Sequence, residues 1–196
     1  TIYLGGGTPS QLAKEDFEAI FSHIYKVYKV TPNAEITLEA NPDDLTSEYI
    51  SMLRTFPFNR ISMGIQTFQE TTLKQLQRRH TADQAIRAFQ GCRTAGFQNI
   101  SIDLMYGLPG ETLTSWKKDL KQALSLHPEH ISAYHLIYEE GTPLWKLREQ
   151  HKVEEADEDL SVSLFGTLID ELTTAGYEHY EISNFCLPGL HSRHNS

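Results

Sequence analysis

Apolar residues recur along the chain at two alternating spacings. Phe17, Ile20, Phe21 and Ile24 lie three or four positions apart, which predicts an amphipathic helix over roughly residues 12–29. The same spacing predicts further helices over about 46–55, 70–77, 83–96, 116–127, 143–150 and 160–175. Short apolar runs bounded by turn residues predict strands over about 1–4, 35–40, 60–65, 99–105, 130–138 and 177–182.

Predicted strands and helices alternate, with short connections between them. This order is typical of the α/β class, in which a parallel sheet is covered by helices. Because such connections are right-handed, five or six of these units curl into part or all of a barrel. The ligand site of such a fold is expected at the C-terminal ends of the strands.

The net charge is −9, from 17 basic and 26 acidic residues, and no basic block is present. A nucleic-acid partner is therefore not expected. No apolar run approaches the roughly 20 residues of a transmembrane helix. The two cysteines, Cys92 and Cys186, fit neither a disulfide framework nor a metal motif, which favours a cytoplasmic protein. Since the chain starts inside an apolar strand, we expect it to be a piece of a longer protein.

Three consecutive glycines, Gly5, Gly6 and Gly7, stand between the first predicted strand and the first predicted helix. Glycine lets the backbone turn tightly and lets a ligand approach the N–H groups. Thr8 or Ser10 is placed to cap the helix. A strand that passes through glycines into a helix is a common way to bind a carboxylate or phosphate. A tight turn without a ligand is the alternative.

Polar side chains occur at or near the ends of several predicted strands. Glu39 ends the second strand, Gln66 follows the third, and Asp103 lies within the apolar fourth. A buried acid is costly unless it is paired, so we expect Asp103 to have a partner, either a ligand cation or Arg78. The alternatives are structural: a salt bridge for Asp103, a turn contact for Glu39, a packing amide for Gln66 and an exposed helix position for Arg78. Several such groups at one rim of the sheet favour a binding site.

Five segments carry a family pattern: Gly5–Ser10, Leu38–Pro42, Ile61–Phe68, Ile102–Gly110 and Tyr180–Phe185. Together they resemble the radical S-adenosylmethionine (SAM) family of oxygen-independent coproporphyrinogen III oxidase, and within it the branch of the heme chaperone HemW. The resemblance implies a partial (β/α)6 TIM-like barrel over residues 1–186, without its first strand and its CxxxCxxC loop. Residues 187–196 would then be a tail that leads to a further domain.

The resemblance also implies cofactors and contacts. Family members bind a [4Fe–4S] cluster that cleaves SAM to a 5′-deoxyadenosyl radical. Gly6 and Glu39 match contacts to the cluster-bound SAM. Contacts to a second SAM molecule are matched by Gly7, Thr8, Gln66, Arg78, Asp103 and Ile137. Glycine N–H groups and Arg78 suit a carboxylate, whereas Glu39 and Asp103 suit an ammonium, a sulfonium or ribose hydroxyls.

The sequence departs from the family pattern in its cysteines. It contains no CxxxCxxC motif, so we expect these residues to hold neither a cluster nor another metal. The HemW branch has a His-Asn-x-x-Tyr-Trp motif linked to heme, of which His194-Asn195 is present. His191 and His194 are therefore possible heme ligands, and two solvated histidines in a frayed tail are the alternative.

Two functions stay open within the family, and both have a tetrapyrrole ligand. One is a coproporphyrinogen dehydrogenase, which oxidatively decarboxylates propionate side chains. The other is a chaperone that passes heme to an acceptor protein, which the Glu181–Asn184 stretch and the His194-Asn195 pair favour. A third hypothesis lies outside the family: a metal-free barrel lyase with Asp103 and Glu39 as acid and base.

Overall fold

The structure is a computed structural model that describes residues 1–196. Its strands are β1 (Ile2–Leu4), β2 (Ile36–Ala40), β3 (Arg60–Gln66), β4 (Ile100–Tyr106), β5 (His130–His135), β6 (Glu178–Glu181) and β7 (Asn184–Cys186). Its α-helices are α1 (Lys14–Val27), α2 (Ser47–Leu53), α3 (Glu70–Gln75), α4 (Ala82–Thr94), α5 (Leu113–Ser125), α6 (Pro143–Glu149) and α7 (Glu158–Thr174). The alternation predicted from the sequence is confirmed as far as α7.

One seven-stranded sheet, in the order β1-β2-β3-β4-β5-β7-β6, organises the fold. The first five strands are parallel neighbours. Alternate residues of β3 show how the sheet divides its two faces: Ile61, Met63 and Ile65 are buried in the core that the sheet forms with the helices. The α/β partial barrel predicted from the sequence is confirmed, and it brings the C-terminal ends of five strands to one rim.

The end of the sheet differs from the prediction of a single parallel strand over 177–182. The segment forms a hairpin instead, in which β6 pairs with β7 and β7 pairs with β5, both antiparallel. Only Ile182 and Ser183 separate β6 from β7. A connection this short permits an antiparallel hairpin but not a parallel crossover, which needs about a dozen residues.

The caps were predicted correctly for α2 but not for α1. Thr46 caps α2, its side chain accepting a hydrogen bond from the Tyr49 backbone N–H. Neither Thr8 nor Ser10 caps α1, which begins after Ala13. A short 3-10 helix, Pro9–Gln11, intervenes, and the Ser10 hydroxyl donates to Asp44 at 2.6 Å instead.

Residues 187–196 cross from β7 back to the first two strands. The Arg193 side chain donates to the Asn33 carbonyl at 2.9 Å, and its backbone N–H donates to the Glu35 carboxylate. The His194 ring stacks on the Tyr3 ring with centroids 4.0 Å apart. The tail therefore packs on the first two strands rather than fraying, although His194 is exposed and His191 is partly exposed, as the alternative of solvated histidines expected. The longest helix has 17 residues, and no helix has the length and hydrophobicity of a membrane-spanning segment.

Candidate functional site

A polar cavity lies at the C-terminal ends of β1 to β4; we call it the strand-end cavity. It is lined by Gly7, Thr8, Pro9, Ser10, Glu39, Ala40, Asn41, Ser62, Gly64, Gln66, Arg78 and Asp103. Six of the eight residues matched to SAM contacts are among them: Gly7, Thr8, Glu39, Gln66, Arg78 and Asp103. Segments far apart in sequence thus line one cavity, because parallel strands end at the same edge of a sheet.

The glycine turn forms one side of this cavity. Gly6 and Gly7 have φ values of +75° and +64°, in the left-handed region that favours glycine. The Gly6 N–H donates to a Glu39 carboxylate oxygen at 3.0 Å, and Gly6 lies in a shallow depression beside the cavity rather than in it. A Cβ on Gly5 would lie 2.6 Å from the Tyr3 ring and 2.8 Å from Glu39. The turn is therefore fixed against the end of β2.

Glu39 is held by two donors from the first strand and the turn that follows it. The Tyr3 hydroxyl donates to Glu39 Oε1 at 2.6 Å, and the Gly6 N–H donates to Oε2. Burial, and then the hydrogen bond to this carboxylate, raise the pKa of Tyr3. The phenol therefore stays protonated and orients the carboxylate towards the cavity.

Asp103 stands at the base of the cavity. Burial raises the pKa of its carboxyl to about 6, and the positive charge of Arg60 opposes this shift. The Ser62 hydroxyl lies 3.3 Å from both carboxylate oxygens. The expected pairing with Arg78 is wrong, because no ion pair joins Asp103 to any cation of the chain. An under-compensated carboxylate of this kind favours a cationic ligand.

Arg78 also lines the strand-end cavity. Its Nη2 donates to Asn41 Oδ1 at 2.9 Å and to the Gly64 carbonyl at 3.0 Å. Nε and Nη1 have no partner in the chain, so they are available to an anion. A Cβ on Gly64 would lie 3.1 Å from the Gln66 amide and 3.5 Å from Arg78. The absence of a side chain at Gly64 therefore makes room for both.

A second polar cavity continues inward from the first and shares Glu39, Ser62 and Asp103 with it. Its other lining residues are Tyr3, Arg60, Ser132, Tyr134, His194 and Asn195. The sequence prediction missed Tyr3, Arg60 and Ser62 as site residues. Two of them carried a signal: positions 60, 62 and 64 alternate with the buried apolar residues of β3, so they share its inner face.

Other predicted residues are not in the strand-end cavity. Ile137 is 74% exposed and follows the end of β5. His191 lies beside the β6–β7 hairpin, with Nε2 3.2 Å from Glu178. His194 lines the inner cavity. The structure therefore separates the two candidate heme ligands into different environments.

The cysteines do not provide an iron–sulfur site. Cys92 is fully buried in α4, where burial raises its pKa to about 12, and Cys186 is buried in β7. Neither lines the strand-end cavity, and a [4Fe–4S] cluster needs several thiolates close together. The unpaired N–H groups of Arg78 and the carboxylates of Glu39 and Asp103 have the charges that suit the carboxylate and ammonium of an amino acid, but the chain provides no set of thiolates for the cluster.

Known proteins resemble this chain over its whole length. The chain is 40% identical over 195 residues to the heme chaperone HemW of Lactococcus lactis and 37% identical over 196 residues to that of Bacillus subtilis. It covers 52% of each relative, and all of this chain is matched. The chain thus spans about half the length of these relatives.

The solved structure of coproporphyrinogen III oxidase (HemN) from Escherichia coli, a radical SAM enzyme, has the same fold. It superposes with a TM-score of 0.82 and 26% identity, over 95% of this chain and 43% of the oxidase. The family model of the Radical SAM superfamily matches residues 1–123, the part that contains the glycine turn, Glu39, Gln66, Arg78 and Asp103. The chain belongs to the radical SAM superfamily.

Proposed function

We propose that the strand-end cavity binds SAM and that the chain is the SAM-binding part of a cytoplasmic protein that delivers heme. One observation carries the proposal: six side chains or backbone turns matched to SAM contacts lie around a single cavity. In the proposal Gly6 and Glu39 contact a cluster-bound SAM. A second SAM is contacted by Gly7, Thr8, Gln66, Arg78 and Asp103, which line the cavity, and by Ile137, which lies outside it and would contact only an exposed part of the ligand.

Each charged group has a defined role in this binding mode. Arg78 binds the carboxylate of the ligand through the N–H groups that the protein leaves unpaired. Asp103 and Glu39 attract the ammonium or the sulfonium and accept hydrogen bonds from ribose hydroxyls. An ammonium beside Asp103 lowers its pKa, so that binding keeps this carboxylate ionised near neutral pH. When bound, a [4Fe–4S] cluster would supply the electron that cleaves SAM, with cysteine ligands from residues other than these.

The test is SAM binding to wild-type chain and to Arg78→Ala, measured by isothermal titration calorimetry. Loss of a hydrogen bond to a charged group costs about 1.5–3 kcal/mol, so we expect affinity to fall roughly 10- to 100-fold. Arg87→Ala is the matched control, since Arg87 is exposed on α4 and pairs with Asp83. Equal affinities for wild type and Arg78→Ala, or no binding to wild type, would contradict the proposal.

The heme part of the proposal depends on His194. Its ring is already ordered on Tyr3 and lines the inner cavity, and the similar proteins of L. lactis and B. subtilis are heme chaperones. We expect hemin to give a Soret band that His194→Ala weakens and His191→Ala does not. A partner protein would then accept the heme.

A coproporphyrinogen oxidase is the second candidate, because the HemN structure shares this fold at 26% identity. Conversion of coproporphyrinogen III without a heme Soret band would favour it. The lyase hypothesis is less well supported. Asp103 and Glu39 are near enough for the charge of Glu39 to raise the pKa of Asp103, but acid–base chemistry would give no role to Arg78 or to the glycine turn.

A further inference from the structure

Cys186 has two metal-binding side chains beside it, Glu178 and His191. The Cys186 Sγ, a Glu178 carboxylate oxygen and a His191 ring nitrogen all lie within 4.8 Å of one another. The antiparallel register places Glu178 directly opposite Cys186. The tail then brings His191 back, with Nε2 3.2 Å from Glu178 Oε2. Three separate positions thus converge although no sequence motif links them, and the expectation from the sequence that the chain holds no metal did not consider this cluster.

The cluster is independent of the SAM site. None of its three residues lines the strand-end cavity or the inner cavity. The Tyr180 ring packs edge-on against His191 with centroids 4.7 Å apart, which fixes the orientation of the imidazole. Cys186 is fully buried, whereas the side chains of Glu178 and His191 are 49% and 39% exposed. An ion therefore has access from solvent on one side and a buried ligand on the other.

We infer that Glu178, Cys186 and His191 form a binding site for a divalent transition-metal ion, with zinc as the best match. Thiolate, imidazole and carboxylate are all zinc ligands, and three of them plus water complete a tetrahedral site. Metal–ligand distances of about 2.0–2.3 Å place tetrahedral ligand atoms roughly 3.3–3.8 Å apart. The ligand atoms, which lie within 4.8 Å of one another, need to approach by roughly 1 Å at most to reach these separations. Magnesium and calcium prefer oxygen ligands and do not suit the set.

The chemistry of binding is a ligand exchange. Burial and the negative charge of Glu178 raise the pKa of Cys186 to about 11, so the metal-free thiol is protonated at neutral pH. Zinc gives up water ligands, a sulfur–zinc bond forms and the thiol proton passes to solvent. The bound ion would fasten the tail after β7 to the hairpin, through His191.

Cobalt(II) is the probe, because it gives a near-ultraviolet charge-transfer band when a thiolate is among its ligands. We expect the reduced, tag-free chain to develop this band with one cobalt per chain, and zinc to abolish it. Cys186→Ser should lose the band and Cys92→Ser, the matched control at the other buried cysteine, should keep it. His191→Gln should weaken cobalt binding about tenfold or more, since even loss of an outer-shell partner costs roughly 10- to 100-fold.

Circular dichroism of each metal-free variant checks that it is folded. If Cys186→Ser does not fold, His191→Gln carries the test, because its partly exposed ring can be replaced without opening the core. Absence of the band in wild-type chain, a band that survives Cys186→Ser, or unchanged cobalt affinity in folded His191→Gln would overturn the inference. Failure here would leave SAM binding untouched, because the two sites share no residue.

Discussion

Replacing Asp103 by Asn should make the chain more stable at neutral pH while weakening its affinity for SAM. The carboxylate lies near Glu39 in a half-buried position, and loss of solvent around it is the main reason that its pKa rises from 3.8 to about 6. Asn has nearly the same shape, keeps an oxygen that can accept from Ser62, and removes the charge. The substitution therefore isolates the cost of keeping a negative charge at this position.

The size of the effect follows from the pKa shift. A shift from 3.8 to about 6 corresponds to about 3 kcal/mol. Because the side chain faces a cavity that admits solvent, we expect a gain of about 1–3 kcal/mol for Asp103→Asn. The native state binds the proton more tightly than the unfolded state, so the wild type loses stability as pH rises from about 4 to 6. The difference between variant and wild type should be smallest below pH 4 and reach its maximum above pH 6.

Urea unfolding of wild type and Asp103→Asn at several pH values between 4 and 8 measures the difference in their free energies of unfolding. The contributions of the other titrating groups are the same in both proteins and cancel in this difference. Asp170→Asn is the control, since Asp170 is exposed on α7 and makes no side-chain hydrogen bond. A variant that is less stable than wild type at pH 7, or a difference that does not change with pH, would refute the account of Asp103. Calorimetry on the same three proteins measures their affinity for SAM, which should fall for Asp103→Asn and stay at the wild-type value for Asp170→Asn.

The sequence was sufficient to predict the five parallel strands because each is a mainly apolar run bounded by turn residues and separated from the next by a helical pattern. It was insufficient for the last hairpin. Side chains alternate with a period of two in parallel and antiparallel strands alike, so the pattern does not give direction. Asn184–Cys186 is also short, begins with a polar residue and follows β6 after only two residues, so no separate apolar run marks it as a strand.

The position of the strand-end cavity was predictable from the sequence, but its internal contacts were not. Glu39, Gln66 and Asp103 could be placed at one rim because strand ends meet there. The sequence could not show that Arg78 does not pair with Asp103, because the position of Arg78 depends on how the chain turns after α3. Gln77 adopts a positive φ of 53° just beyond that helix. The guanidinium is then directed to the Gly64 carbonyl rather than to the acid.

Two further predictions concern the cluster and the turn after β3. Anaerobic reconstitution with iron and sulfide should leave the chain colourless, and a brown cubane spectrum would contradict the absence of a ligand set. Asp119→Ala should destabilise the fold by about 3 kcal/mol. Buried Asp119 accepts hydrogen bonds from the Thr67 hydroxyl, the Phe68 N–H and the Gln69 amide. Each bond to a charged group contributes about 1.5–3 kcal/mol, and the cost of burying the carboxylate offsets part of their sum. These bonds hold the turn in which Gln66 keeps a φ of 72°, so SAM affinity should fall too. Urea unfolding measures the stability of Asp119→Ala, and calorimetry measures its affinity for SAM. If both match wild type, the turn does not depend on this carboxylate.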